Sequence, residues 1–458
     1  MDDEERDDIE QAHSERGLMA PLRFSGLLSA LDERIDVTFH AHIREDGEVE
    51  LQFDRFARTP ETFKLEQAWG AARRAMLYFN VEGVSDDGID FASEGVFFSC
   101  WNYKRNGEDG HSYAPTAKMT ECFFRRALAQ PAPKPVLRMS LKGVQCFPAP
   151  LAECRLGRVA MAGPADLKDA DKITGHFLIE AADGIDHGAA WRAEAEELLQ
   201  HLRRMMSFAS GVILLNPVTE FFEADRVEVR CRSQVRQNHP SMRVFHYLNF
   251  EPIFEASVRS FDSPRFRPRD LLVALEWFAM PTTYNEVRLF NMMTALENLT
   301  DVFLTPAERR TLGAHQFKKL EKKLRAAIKD SSTPWSDGAA DSLLAKLGEL
   351  KRKPLREKLA LLFEKWTVPL DGINEEDIQT VIKARNDIVH SGFHDYADDA
   401  PDLWHKFTVA RELFVRLMLA ALDYRGQYIS MIGEHRLTTF PPEATPTSAT
   451  QSAAEASA

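Results

Sequence analysis

The strand signals of this chain stop near residue 270, and that limits the folds open to it. Before it, apolar and polar residues alternate. Val37, Phe39, Ala41 and Ile43 interleave with Thr38, His40 and His42, and after Asp46-Gly47 the alternation resumes at Val49, Leu51 and Phe53. A period of two puts every second side chain on one face of a strand, and Asp-Gly between two such runs predicts a hairpin. The same reading predicts a helix over 62–78 and strands over 95–102, 136–146, 155–162 and 176–180. It also predicts a helix over 191–208, with Leu198, Leu199, Leu202, Met205 and Met206 on its apolar face, and strands over 212–215 and 226–235.

After Asp270 the strand signals stop and the period becomes helical. Helices are expected over 271–279, 284–304, 315–329, 340–351, 355–366, 375–389 and 402–424. The fold class is therefore an α+β amino-terminal region, with antiparallel strands and packed helices, followed by an all-α bundle. The expected domains are an acidic disordered leader (1–17), the α+β region (18–268), the helical domain (269–435) and a disordered Pro/Ser/Thr/Ala tail (436–458).

A chain of 458 residues expects two or three domains. Its net charge of −13 argues against a generally basic nucleic-acid coat, though not against local basic patches. The start, Met1-Asp2-Asp3-Glu4-Glu5, is the opposite of a basic signal peptide, and no apolar run reaches 18 residues. A cytoplasmic protein without membrane contact is expected. Its five scattered cysteines, with no C-x-x-C pair, read as reduced thiols.

The chemistry concentrates in Arg385-Asn386-Asp387-Ile388-Val389-His390, late in a helical stretch. An arginine grips a phosphate with a fixed fork of donors, and a histidine moves protons near neutral pH. Together they suffice to cleave RNA. The histidine handles the protons as the 2′-hydroxyl attacks its own phosphate, and the arginine stabilises the anionic transition state. Six other Arg-to-His pairs satisfy the same loose spacing, but only this one combines a polar neighbour, a preceding amphipathic helix and a long helix after it. The nearest rival, Arg310 with His315, lacks the polar neighbour and is interrupted by Gly313.

This segment resembles the R-x4-H motif of the HEPN superfamily, many of whose members are metal-independent ribonucleases in toxin and antiphage systems. Two further stretches are similar to the family's helices: Thr294-Ala295-Leu296-Glu297-Asn298-Leu299, near the start of the bundle, and Tyr424-Arg425-Gly426-Gln427-Tyr428, at its closing helix end. A strand-rich region ahead of such a bundle resembles the ApeA-type antiphage proteins. Some toxin members carry tyrosine two residues after the histidine, where this chain has Gly392. The resemblance implies an endoribonuclease that leaves a 2′,3′-cyclic phosphate and a 5′-hydroxyl, needs no cofactor, and acts in antiphage defence by abortive infection. It further implies a homodimer through the helical domain, with a phage-derived trigger bound by the amino-terminal region. The competing readings are a non-catalytic HEPN module for dimerisation or for binding nucleic acid or a partner, and a ligand sensor working through the amino-terminal half.

On a continuous helix, side chains five residues apart lie about 140° apart, so one helix does not point Arg385 and His390 at one phosphate. Either Ser391-Gly392 ends the helix and lets His390 swing, or two protomers share a cleft. The plain alternative is a surface arginine and a histidine that favours the helix C-terminus. Asn386 can orient His390, bind phosphate or face solvent; Asp387 can act on His390 or lie on a wet face; Glu297 can pair with Arg385 or be solvated. From Arg309 to Lys358 the chain carries 14 Lys/Arg against 6 Asp/Glu. Lys318, Lys319, Lys322, Lys323 and Arg325 cluster there on one predicted helix, as RNA contacts or as a solvated face. The strand face Arg226, Glu228, Arg230 and Arg232 can bind an anion or simply be wet. His40 and His42 have metal-ligand spacing but no evident third ligand, so no metal is expected.

Overall fold

The computed structural model describes residues 20–71, 77–105, 111–184, 188–234, 242–330, 338–391, 400–433 and 435–442. The chain divides into two units, Met1–Arg203 with Leu214–Gln237, and Arg204–Ile213 with Asn238–Ala458.

In the first unit the alternating segments form strands in the expected way. β1 (Leu22–Ala30) pairs antiparallel with β2 (Glu33–Ile43), which turns into β3 (Val49–Phe53). The Asp46-Gly47 turn closes with the Gly47 amide donating to the Arg44 carbonyl at 2.8 Å. Gly47 is required there twice over: its φ is +78°, and a Cβ would lie 2.4 Å from the Pro217 ring. The remaining strands are β4 (Phe56–Ala57), β5 (Phe79–Ser85), β6 (Asp90–Arg105), β7 (His111–Met119), β8 (Glu121–Ala127), β9 (Val136–Lys142), β10 (Leu151–Cys154), β11 (Gly157–Ala162), β12 (Ile173–Ala181), β13 (Leu215–Phe222) and β14 (Arg226–Arg232).

All the pairings are antiparallel, in the order β10-β11-β12-β9-β13-β14-β8-β6-β5-β1-β2-β3-β7-β4. Because β6 also pairs with β7, the run β6-β5-β1-β2-β3-β7 closes on itself. The joint between β3 and β7 is a single bridge, Gln52 opposite Thr116. The alternating large residues therefore face an enclosed interior, where aromatic rings pack edge to face or stacked. Phe24 stacks on Phe39 at 5.2 Å, and Phe98 meets Trp101 edge-on at 4.8 Å.

Outside the closed part, β9 is buried on both faces. Its polar Arg138 is answered by Glu220, directly opposite on β13, through bonds of 2.6 and 2.8 Å. Helix α1 (Pro60–Ala71) belongs to this unit, as does the first part of α2 (Ala189–Ser210). On α2, Leu198, Leu199 and Leu202 are fully buried, and Trp191 donates its indole N–H to the Leu156 carbonyl at 2.9 Å.

The second unit holds α3 (Phe250–Phe261), α4 (Pro268–Ala279), α5 (Asn285–Phe303), α6 (Ala314–Lys329), α7 (Ala339–Lys346), α8 (Leu355–Lys365), α9 (Glu375–Ser391) and α10 (Ala400–Ala421). A hairpin follows, β15 (Gly426–Ser430) with β16 (Arg436–Phe440). Helix α5 is central and packs against α4, α8, α9 and α10. Helix α10 is buried on every side from Phe407 to Leu419, including Arg411, Glu412 and Arg416. Glu412 accepts from Arg416 Nε at 3.0 Å, the Tyr428 hydroxyl at 2.6 Å and the Ser430 hydroxyl at 2.9 Å. Arg416 also donates to the carbonyls of Pro369 and Asp371 at 3.0 and 2.9 Å. Burial and the neighbouring Glu412 charge push the Tyr428 hydroxyl well above its usual range, so it stays a donor.

The coarse expectation, strands and then helices, holds, with five corrections. The units divide at Gln237/Asn238 rather than at 268, because α3 belongs with the helices. Its buried face contains Ser257 and Ser260, which bond back to backbone carbonyls and so blur the apolar period. The strand expected at 212–215 lies at Leu215–Phe222 instead, and Pro217 sits where the register with β9 shifts and no ladder bond is needed. The helix expected over 340–351 ends at Lys346 and tightens into a 3₁₀ turn, Leu347–Lys351, around Gly348. Residues 436–440 are not tail but strand β16, held by pairing with β15. The segment from Tyr424 is likewise not a helix end but the entry to that hairpin: α10 stops at Ala421, and Gly426 has a φ of +150°. The expected leader and the tail beyond 442 lie outside the described residues. Among the described residues no helix is long and apolar enough to cross a membrane.

The Glu412 cluster makes the first prediction. Glu412→Ala leaves Arg416 buried and unpaired, which costs about 3–5 kcal/mol. Urea unfolding is expected to show a lower midpoint, and an unchanged midpoint would mean that the cluster does not hold the hairpin.

Candidate functional site

Helix α9 begins with a reciprocal cap. The Asn374 side chain accepts from the Asp377 amide, and Asp377 accepts from the Asn374 amide, both at 2.9 Å. Glu375, Glu376 and Asp377 place negative charge at the positive helix end, and His390 lies in the last turn, where a cation is favoured. Val381, Ala384 and Ile388 are buried and fix which face turns inward. Arg385 therefore lies at the edge of that face, half-buried, while Asn386, Asp387 and His390 are exposed.

Arg385 reaches across to α5. Its Nη2 contacts both oxygens of Glu297, at 2.8 and 3.0 Å, and its Nη1 donates to the Asn386 side-chain oxygen at 3.1 Å. Its Nε is buried without a partner. Of the alternatives for Glu297, the structure takes the ion pair. Asn386 bonds to Arg385, so its oxygen serves the arginine rather than the histidine. The guanidinium is held in one orientation from two sides, which is what a phosphate clamp requires, but one of its edges is already committed to a carboxylate.

His390 is not brought to Arg385 by its own helix. α9 continues through Ser391, so the helix does not end early enough to release His390, and Gly392 lies outside the described residues. The two side chains leave the helix about 140° apart. Asp387, exposed on the same helix, is one turn from His390.

The rival pair does not share a helix. Arg310 lies in a bridge to Arg352, and His315 is exposed at the start of α6, beyond Gly313. Along α6, Lys318, Lys319, Lys322 and Lys323 are exposed and make no ion pair among the described residues, whereas Arg325 is bound to Glu321 at 2.7 Å. Four of the five basic residues singled out on this helix are thus open to a polyanion, and the fifth is engaged. The arginines of β14 are not open. Arg230 pairs with Glu196 and Arg232 with Glu121, while Glu228 takes Arg125 and Arg192, so this face is a ladder of ion pairs. His40 and His42 face Asp54 and Glu50 at 3.7 and 4.0 Å, and among the described residues no group of three metal-ligating side chains occurs. The five cysteines are free thiols.

Sequence reasoning missed Arg411. A charged residue in an apolar helix, Phe407 to Leu419, was a legible signal, because a charge there must find a buried partner.

No protein-family model matches the chain, and no curated protein matches it.

The α5–α9 ion pair predicts energetic coupling. In a double-mutant cycle of Glu297→Ala with Arg385→Ala, the two effects on unfolding free energy are expected to fall short of additivity by about 1 kcal/mol. Strict additivity would mean that the pair does not form in solution.

Proposed function

We propose that this chain is an endoribonuclease of the HEPN type, cutting RNA by attack of the 2′-hydroxyl on the adjacent phosphate. Arg385 clamps the phosphate and stabilises its transition-state charge, and His390 transfers the proton. The observation that carries the reading is the presentation of Arg385. It is oriented by Glu297 and Asn386 on a helix whose last turn exposes His390. The angle between the two side chains on α9 bears on assembly: the arginine of one protomer works with the histidine of another across a two-fold axis. The lysines of α6 supply sequence-independent attraction for RNA. Antiphage defence is the role that the resemblance suggests.

One observation favours a second reading, a non-catalytic helical module. The Arg385 edge that meets Glu297 is already occupied, as in a structural ion pair.

Incubating the full chain with RNA in the presence of EDTA separates the two. Cleavage is expected to persist, and His390→Ala and Arg385→Ala are each expected to lower it at least ~100-fold with unchanged thermal unfolding for His390→Ala. His315→Ala is expected to be silent. A substrate with one 2′-deoxy nucleotide at the cut site should resist cleavage there, and cutting at that position would exclude the proposed chemistry. Mixing the two inactive variants should restore part of the activity through hybrid dimers; a fully active monomer in analytical ultracentrifugation would refute the shared site.

The lysine-rich helix makes a separate prediction. Changing Lys318, Lys319, Lys322 and Lys323 together to Gln should weaken RNA binding and flatten its dependence on salt, since fewer counterions are released. An unchanged salt slope would show that α6 is only a solvated face.

A further inference from the structure

Within the second unit, a cavity of about 60 Å³ lies between the end of α4, the middle of α5 and α10. Its lining includes Arg411, Asn291, Arg288, Met242 and Phe407. Arg411 is completely buried. One of its nitrogens, Nη2, donates to the carbonyls of Met242 and Arg243 at 3.1 and 2.9 Å. The backbone at Met242 comes so close to Gly211 that a Cβ there would meet its carbonyl carbon at 2.4 Å. Among the described residues the other two nitrogens of Arg411, Nε and Nη1, have no partner, and neither has the amide nitrogen of the buried Asn291.

Every one of these unanswered groups is a donor. The guanidinium offers Nε–H and the Nη1 hydrogens, and the asparagine offers its amide hydrogens. Among the described residues no aspartate or glutamate lines the cavity. Glu412, the next residue, acts on Arg411 through space, but its oxygens are hydrogen-bonded to Arg416, Tyr428 and Ser430, so one carboxylate serves two buried arginines. Burial lowers the Arg411 guanidinium only to about 10, so at neutral pH it carries its charge. A second cation, the half-buried Arg288, also lines the cavity; it is held by the Thr282 carbonyl at 3.2 Å and the Asn285 side chain at 3.4 Å. One carboxylate shared between the two buried arginines of α10 leaves a positive charge unmatched, which is unfavourable. Water answers the hydrogen bonds but brings no charge, whereas an anion answers both.

We propose that this cavity is an anion-binding site that takes a compact monoanion, either chloride or the carboxylate of a small acid, on Arg411 and Asn291. Its size sets the limit. An apolar cavity of about 150 Å³ holds a benzene ring, so a space well under half of that admits a halide or a few heavy atoms and excludes a nucleotide or a sugar acid. The bound ion supplies the counter-charge that α10 lacks and ties that helix to α5. The site is independent of Arg385 and His390 and of the reading proposed for them.

The test is thermal unfolding of the full chain at constant ionic strength, exchanging sodium gluconate for chloride, formate or acetate. Gluconate is too large to enter. A rise that bends over to a logarithmic dependence on the small anion above its Kd is expected, of about 5 °C once the ion is at a hundred times its Kd. A logarithmic rise with chloride alone assigns a halide site, and one with formate and acetate assigns a carboxylate site. Saturation transfer from the protein to the formate proton then reports binding directly. Asn291→Leu keeps the volume and removes the amide donors, so it should raise the apparent Kd about tenfold. Arg411→Met removes the charge and, where it folds, should unfold at the same temperature in every anion. The proposal is overturned if wild type unfolds at one temperature in all four salts. It is also overturned if the shift stays linear in anion concentration, as a bulk salt effect does, or if Asn291→Leu responds like wild type.

Discussion

Charge buried in α10 is the constraint on which the helical unit depends. Arg411, Glu412 and Arg416 occupy two successive turns of the stretch Phe407 to Leu419 of α10, which is buried on every side. Charges in such a place cost several kcal/mol each unless they are paired and hydrogen-bonded. Glu412 meets this by drawing in β15, through Tyr428, Ser430 and the Met431 amide. Arg416 meets it by gripping the carbonyls of residues 369 and 371. That second contact has a consequence further along. The segment it pins runs directly into Asn374, the cap of α9, and the cap sets where α9 begins. The placement of Arg385 and His390 therefore traces back to charges that touch neither of them. Arg411 shares the charge of Glu412 with Arg416 and makes no salt bridge of its own among the described residues, and the cavity beside it follows from the same principle.

The first unit handles the same problem with a different geometry. A sheet strand buried on both faces has no room for an isolated charge, so Arg138 is matched by Glu220 one strand away, in register. On the more exposed β14 the charges pair along and across the sheet, to Glu196 on α2 and to Glu121 and Arg125 on β8. Register and ion pairing reinforce each other: a slip by one residue would turn Arg138 away from its partner and bury both charges unpaired.

The candidate site shows how local sequence and helix geometry can pull apart. Arg385 and His390 are close in sequence, of the right chemical types, and on one helix, yet a continuous helix points them in different directions. Arg385 acquires its orientation from Glu297, which is 88 residues earlier. His390 makes no comparable contact on α9, and its exposure leaves it available to a group from outside its own helix. A catalytic reading thus depends on assembly as much as on residue identity.

Much of this was written in the sequence. The end of the strand signals near residue 270 placed the large sheet ahead of most of the helices, and the Asp46-Gly47 hairpin followed from turn chemistry. The positions of α2, α5, α6, α8 and α9 followed from their apolar stripes, because periodicity is a local property that burial of one face enforces. Arg385 and His390 were legible for the same kind of reason, as residue types at a spacing. Tertiary structure alone decided the rest. The closure of β6 on β7, the transfer of α3 to the helical unit and the pairing of β16 with β15 all depend on partners distant in sequence, and local pattern carries no record of those. The fate of each buried charge was decided in the same way. Sequence showed that Arg411, Glu412 and Arg416 lay in an apolar helix, but only packing determined that Glu412 and Arg416 would be answered by the chain itself and that Arg411 would face a cavity, since a counter-charge acts through space and not along the backbone.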